Sequence, residues 1–95
     1  MSGDKKITED MINELYDLIL SLESREDCAK LFDDLCTFKE IEKMAQRVRA
    51  AKLLLEGATY SKIIEQTDIS SATLSRVSRC VQYSDGYKTF LKKDK

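Results

Sequence analysis

The chain has 95 residues, 42% hydrophobic and 35% charged, with three glycines, no proline and no histidine. That length allows one domain at most, and such a chain buries only a modest core unless a second copy adds to it. No stretch approaches a membrane span, the opening MSGDKKITED lacks a signal peptide's apolar run, and three cysteines without C-x-x-C spacing or histidine argue against a metal site, so Cys28, Cys36 and Cys80 read as free thiols in the cytoplasm.

The net charge of −1 hides a division. Residues 1–36 hold four Lys/Arg and ten Asp/Glu (−6), residues 37–82 hold eight and five (+3), and residues 83–95 hold four and two (+2). A nucleic-acid surface needs local positive charge, not a basic whole. The acidic block reads as a solvated face.

In chain order, apolar residues recurring at three and four predict a first helix over 8–22, with Thr8 as its cap. Met11, Ile12, Leu15, Tyr16, Leu18, Ile19 and Leu22 cover much of its circumference. That exceeds what a small domain asks of a surface helix, so part of it should meet a second subunit. Ser24 opens a second helix, with Asp27 three residues on and Cys28, Leu31, Phe32 and Leu35 expected to face inward. Thr37-Phe38-Lys39-Glu40 has the form of a capping box, in which each side chain can satisfy the other's backbone N–H. It opens the longest helix, about 38–56, ended by Gly57. Ile41, Met44, Ala45, Val48, Ala51 and Leu55 form its apolar stripe. Arg47 and Arg49 have no carboxylate at i±3 or i±4, and neither has Arg76 further on. Arginines so placed suit an anionic partner, phosphate or a ligand carboxylate.

The stretch from Thr59 to Arg79 predicts two short helices around a tight turn. The first runs from about Tyr60 to Thr67, with Ile63 and Ile64 as apolar contacts. The turn is Asp68-Ile69-Ser70, in which Ser70 caps the next helix and Ile69 packs back between the two. Leu74, Val77 and Val81 then fall on one side at helical spacing. Ser71, Ala72, Ser75 and Arg79 point outward, a small and polar face of the kind a helix needs to enter the major groove. This pattern resembles the helix-turn-helix of bacterial transcription regulators. Asp68 stands where that motif usually has glycine, and Asp tolerates positive φ better than most residues. After a break at Tyr83-Ser84-Asp85-Gly86, Tyr87, Phe90 and Leu91 sit on a short helix and are expected to close a dimer core. Lys92, Lys93 and Lys95 read as a frayed, solvated end.

The run CTFKEIEKMAQRVRAAKLLLEGATYSKIIEQTDISSATLSRVSR is similar to the core of the Trp repressor family, and within it to the YerC/YecD group. The marks are the Thr37 capping box, Arg47-Val48-Arg49, Leu54-Leu55-Glu56-Gly57 and Ala72-Thr73-Leu74-Ser75-Arg76, across residues 36–82. The resemblance implies an all-helical, intertwined homodimer and a cytoplasmic repressor of transcription. It also implies a small-molecule pocket in which two arginines, here Arg47 and Arg76, sandwich a tryptophan, with Thr37 and Thr73 lining it. Two departures bear on that pocket. A glycine of the family is Val77 here, which fills the slot an indole would occupy. A serine is Cys80 here, a poorer partner for an ammonium group.

The expected fold is therefore all-α, one Trp-repressor-like domain over 1–95. The helix-turn-helix occupies 59–81, and dimerisation helices lie at 8–56 and 85–92. The expected function is sequence-specific binding of double-stranded DNA as a homodimer, with no membrane and no enzymatic activity. No histidine, Gly-rich phosphate loop or nucleophile with a nearby base suggests catalysis. Ser71, Ala72, Ser75 and Arg79 are candidates for base edges. Thr59, Tyr60, Ser61 and Lys62 are candidates for phosphate, and Ser70, Thr73 and Arg76 complete the candidate surface. Candidate ligand residues are Thr37, Arg47, Thr73, Arg76, Val77 and Cys80, for an unidentified small anionic corepressor in preference to tryptophan, or for none. The alternative is a helical module that uses the same surface to bind a protein partner.

Overall fold

The computed structural model describes residues 2–91, with side chains from Lys6 onward, so Lys92, Lys93 and Lys95 lie outside the described residues. The described chain is helical: α1 (Ser2–Leu20), α2 (Arg25–Leu35), α3 (Phe38–Leu55), α4 (Tyr60–Thr67), α5 (Ser71–Tyr83) and α6 (Gly86–Leu91). It divides into two compact units, one ending at Thr37 and the other beginning at Phe38. None of the described helices is long and apolar enough to cross a membrane.

In the first unit α1 begins at Ser2, six residues ahead of the expected Thr8. Thr8 therefore lies inside the helix and does not cap it. No proline interrupts Lys5-Lys6-Ile7, and a helix once nucleated propagates through the two β-branched residues Ile7 and Thr8. At the other end the Ser21 and Leu22 N–H groups bond back to Leu18 and Ile19 carbonyls at 3.1 Å, so the last turn tightens and the helix stops at Leu20. Ser24 caps α2 as expected, its Oγ accepting the Asp27 N–H at 3.0 Å. Asp27 Oδ2 accepts the Glu23 N–H at 2.9 Å, a reciprocal lock that the spacing alone does not reveal. Leu31 and Phe32 are half-buried, but Cys28 and Leu35 are exposed, and no α2 residue is buried. On α1, Leu15 is half-buried while Met11, Ile12, Tyr16, Leu18 and Ile19 remain exposed.

In the second unit α3 packs on α4, α5 and α6, and α5 packs on α4 and α6. The buried cluster is Ala50, Ala51, Ile63, Ile69, Leu74 and Val77, with Leu53, Leu54, Ile64, Val81, Tyr87 and Leu91 packed around it. α3 opens at Phe38, directly after Thr37, and both Thr37 and Glu40 have partners. It ends in a Schellman motif. Gly57 takes φ 91°, its N–H bonds the Leu54 carbonyl at 3.0 Å, and the Ala58 N–H bonds the Leu53 carbonyl at 3.0 Å. The inward face of α3 departs in part from the expected stripe. Ala51 of that stripe is buried and Ile41, Met44 and Leu55 are half-buried, but Ala45 and Val48 are exposed, and the stripe's place is shared by Ala50, which is buried, and Leu54. Small residues face inward because α4 and α5 both cross this side of the helix. Tyr87 and Leu91 pack on the chain's own core, whereas Phe90 stays 72% exposed.

Candidate nucleic-acid interface

α4 takes the bounds expected of it and α5 starts after Ser70 as expected but runs on to Tyr83, into the expected break, and each residue of the turn between them is held. Asp68 sits at φ 63°, ψ 18°, the left-handed conformation usual for glycine, and its N–H bonds the Ile64 carbonyl at 2.9 Å. Thr67 Oγ1 donates to the Ile63 carbonyl at 2.8 Å and accepts the Ile69 N–H at 3.2 Å. Gln46 Nε2 reaches from α3 to the Thr67 carbonyl at 3.1 Å. Ile69 is buried in the core, which pins the turn against it. Ser70 then caps α5, its Oγ accepting the Thr73 N–H at 3.2 Å and donating to Thr73 Oγ1 at 2.9 Å. Thr67 and Gln46 were not singled out in the sequence, because a side chain bonding across a turn leaves no periodic trace.

This bracing fixes which way α5 presents its faces. Leu74, Val77 and Ser78 are buried, and Ser71, Ala72, Ser75, Arg76 and Arg79 are exposed. At 100° per residue, Ser71, Ala72, Ser75 and Arg79 share one face spanning roughly 100°. On α4, Thr59 Oγ1 accepts the Lys62 N–H at 3.2 Å, so its hydroxyl proton can still point outward. Tyr60, Ser61 and Lys62 are exposed in the first turn.

A cavity of about 340 Å³ opens beside α5, within the range of small-molecule sites. Arg47 of α3, Thr73, Arg76, Val77 and Cys80 of α5 and Tyr87 of α6 line it. Five of the six candidate ligand residues thus come together. The sixth, Thr37, belongs to the other compact unit. Tyr87, expected at a dimer core, lies within one chain beside α5, where α6 folds back and brings its ring to the cavity. Val77 is only 1% exposed and is shared between the core cluster and the cavity wall. A second, more polar cavity of about 390 Å³ shares Arg47 and Thr73 with the first. Among the described residues no cluster of Cys, Asp and Glu side chains could hold a metal ion, and all three cysteines are free.

Three comparisons bear on this arrangement. The sequence model of a family described as Trp repressor protein matches residues 10–95. The chain is 48% identical over 81 residues to the uncharacterized protein YerC of Bacillus subtilis (strain 168), covering 84% of this chain and 78% of that protein. Among solved structures, a Staphylococcus aureus protein described as a candidate Trp repressor superposes with a TM-score of 0.87 at 42% identity, covering 94% of this chain and 90% of that one. A TrpR-like protein from Eubacterium eligens ATCC 27750 superposes with a TM-score of 0.87 at 38% identity, over 94% and 93% of the two chains.

Proposed function

The chain belongs to the Trp repressor family, and from that premise we propose that it is a sequence-specific DNA-binding regulator of transcription, a repressor that acts as a homodimer in the cytoplasm. The observation that carries this reading is the division of α5, whose buried side is locked to the core while Ser71, Ala72, Ser75 and Arg79 stand exposed together. Small side chains let the helix backbone approach base edges, and the long arginine reaches a guanine or a phosphate. Lys62 and the hydroxyls of Thr59, Tyr60 and Ser61 hold phosphate and set the register. Ser70, Thr73 and Arg76 border the same surface.

The test is a shift assay across a salt series. Arg79→Ala and Ser75→Ala are expected to weaken binding to the specific site, by about 1–3 kcal/mol where the native side chain pairs with a base in bidentate fashion, with little effect on random DNA. Lys62→Ala is expected to weaken all DNA about equally and to flatten the salt slope by about one unit for each phosphate the lysine neutralises. If both kinds of variant acted alike on specific and random DNA, these roles would be wrong. Binding of a protein partner through this surface, with no DNA affinity at any salt, would favour an interaction module instead.

The cavity between Arg47 and Arg76 suits a small anion, and we infer that it takes an unidentified corepressor other than tryptophan, or none. Val77 adds three carbons where an indole would lie flat. Overpacking of this kind typically costs about 1–3 kcal/mol, on the order of tenfold to a hundredfold in affinity. Calorimetric titration is expected to find no micromolar binding of L-tryptophan to the wild type, and DNA binding without it. Val77→Gly should gain binding, provided thermal melts find the variant folded, since the same side chain fills the core. Micromolar binding to the wild type would refute this.

A further inference from the structure

The more polar cavity carries a feature that lies outside the helix-turn-helix. Lys39, Lys43 and Arg47 recur every fourth residue, so they form one row along the first half of α3, and all three line this cavity. Across from them the wall is made by Ser70 and Thr73, at the start of α5. Two carboxylates, Glu42 and Asp68, also line it, leaving the lining side chains with one net positive charge. Lys39 and Lys43 are exposed and Arg47 is half-buried. Like charges at i, i+4 weaken a helix, and α3 carries two such pairs in succession. Glu42, three residues after Lys39, and Glu40, three before Lys43, offset part of that repulsion, and the positive surplus that remains along the row suits an anion. The row is also continuous with Ser70 and Thr73, on the surface assigned above to DNA.

We propose that Lys39 and Lys43 grip a DNA backbone phosphate beside the N-terminal end of α5, so that α3 extends the DNA contact beyond α4 and α5. This rests on the DNA-binding reading and deepens it. Both lysines act as point charges on long, flexible stems, which suits a phosphate and carries no base information. Arg47 lines both cavities, so it stands between this phosphate and the neighbouring anion cavity.

The experiment compares the wild type, Lys39→Gln/Lys43→Gln and a control, Lys30→Gln/Lys52→Gln, which removes the same charge at exposed positions elsewhere. Circular dichroism first establishes that all three are equally helical. DNA affinity is then measured on specific and random duplexes over a salt series, and inorganic pyrophosphate binding by calorimetry. The expected result is that Lys39→Gln/Lys43→Gln loses affinity on both duplexes by a similar factor. Its salt slope should flatten by about two units for a dimer with one such phosphate per subunit. The control should keep the wild-type slope. An unchanged slope in Lys39→Gln/Lys43→Gln, with the wild type binding DNA normally, overturns the proposal and leaves the DNA reading standing. Equal flattening in the control also overturns it, because net charge alone would then be responsible. Loss of pyrophosphate binding with DNA affinity intact makes the cavity a small-anion site and overturns it as well. A wild type that binds no DNA at any salt sinks the underlying reading, and this proposal with it.

Discussion

Truncating Ile63 or Leu74 to alanine is expected to destabilise the helical unit from Phe38 onward by roughly 2–5 kcal/mol each. Both side chains are fully buried, and they sit on different helices of one cluster. Ile63 holds α4 and Leu74 holds α5 against the small Ala50–Ala51 surface of α3. Alanine has no atoms to refill those spaces, so the lost transfer energy and the cavity add. A loss of that size is a large fraction of the about 5–15 kcal/mol that stabilises a typical domain. Urea melts followed by circular dichroism, at one fixed protein concentration, give the difference. Ser75→Ala, exposed on the opposite side of α5, should stay within about 0.5 kcal/mol of the wild type. Losses below about 1 kcal/mol at both buried positions would mean that these helices are not packed as described.

The second large effect concerns assembly. Leu18 is 45% exposed within one chain, and Met11, Ile12, Tyr16 and Ile19 around it are also exposed. On α3, Phe38 is 75% exposed and Val48 44%. A lone chain with so much apolar surface in water invites a partner. If a second copy covers it, Leu15→Ala and Leu18→Ala should each cost roughly 2–5 kcal/mol. In a monomer, Leu18→Ala would forfeit only the buried part of the side chain, on the order of 1 kcal/mol. Melting temperature should also rise with protein concentration, because dissociation and unfolding are linked. Sedimentation at micromolar concentration should give about twice the 10.9 kDa chain mass. A well-folded monomer at that concentration would contradict the homodimer.

How much could be read in the sequence depended on whether a residue's role was local. α4, its turn and α5 were legible because capping serines and threonines, Asp68 and a single apolar stripe all point the same way. The end of α3 was legible because Gly57 is the residue a Schellman motif needs. The inward face of α3 was legible only in part. That helix has apolar residues on two sides, and a single stripe through Ile41, Met44, Ala45, Val48, Ala51 and Leu55 follows one of them. The fold buries Ala51, which is on that stripe, together with Ala50, which is not. Val48, on the stripe that periodicity picks out, is left exposed. Thr8 failed as a cap because helix propagation outweighs a single favourable capping residue. In the cavity, the arginines, Thr73, Val77 and Cys80 came with the family resemblance, and Tyr87 did not. Its place there depends on α6 folding back over α5, a tertiary fact that no local pattern encodes. The Lys39–Lys43–Arg47 row enters the block charge of residues 37–82 only as a sum, and its meeting with Ser70 and Thr73 is a tertiary fact.

The most direct measurement of the central claim is footprinting of the protein on genomic DNA at physiological salt. A two-fold dimer with one α5 in each of two successive major grooves predicts protected sites that share a pseudo-palindrome, with half-sites about one helical turn apart. The same sites should lose protection when Arg79→Ala replaces the wild type. Protection without a shared two-fold sequence, or no protected sites at all, would contradict a sequence-specific dimeric regulator.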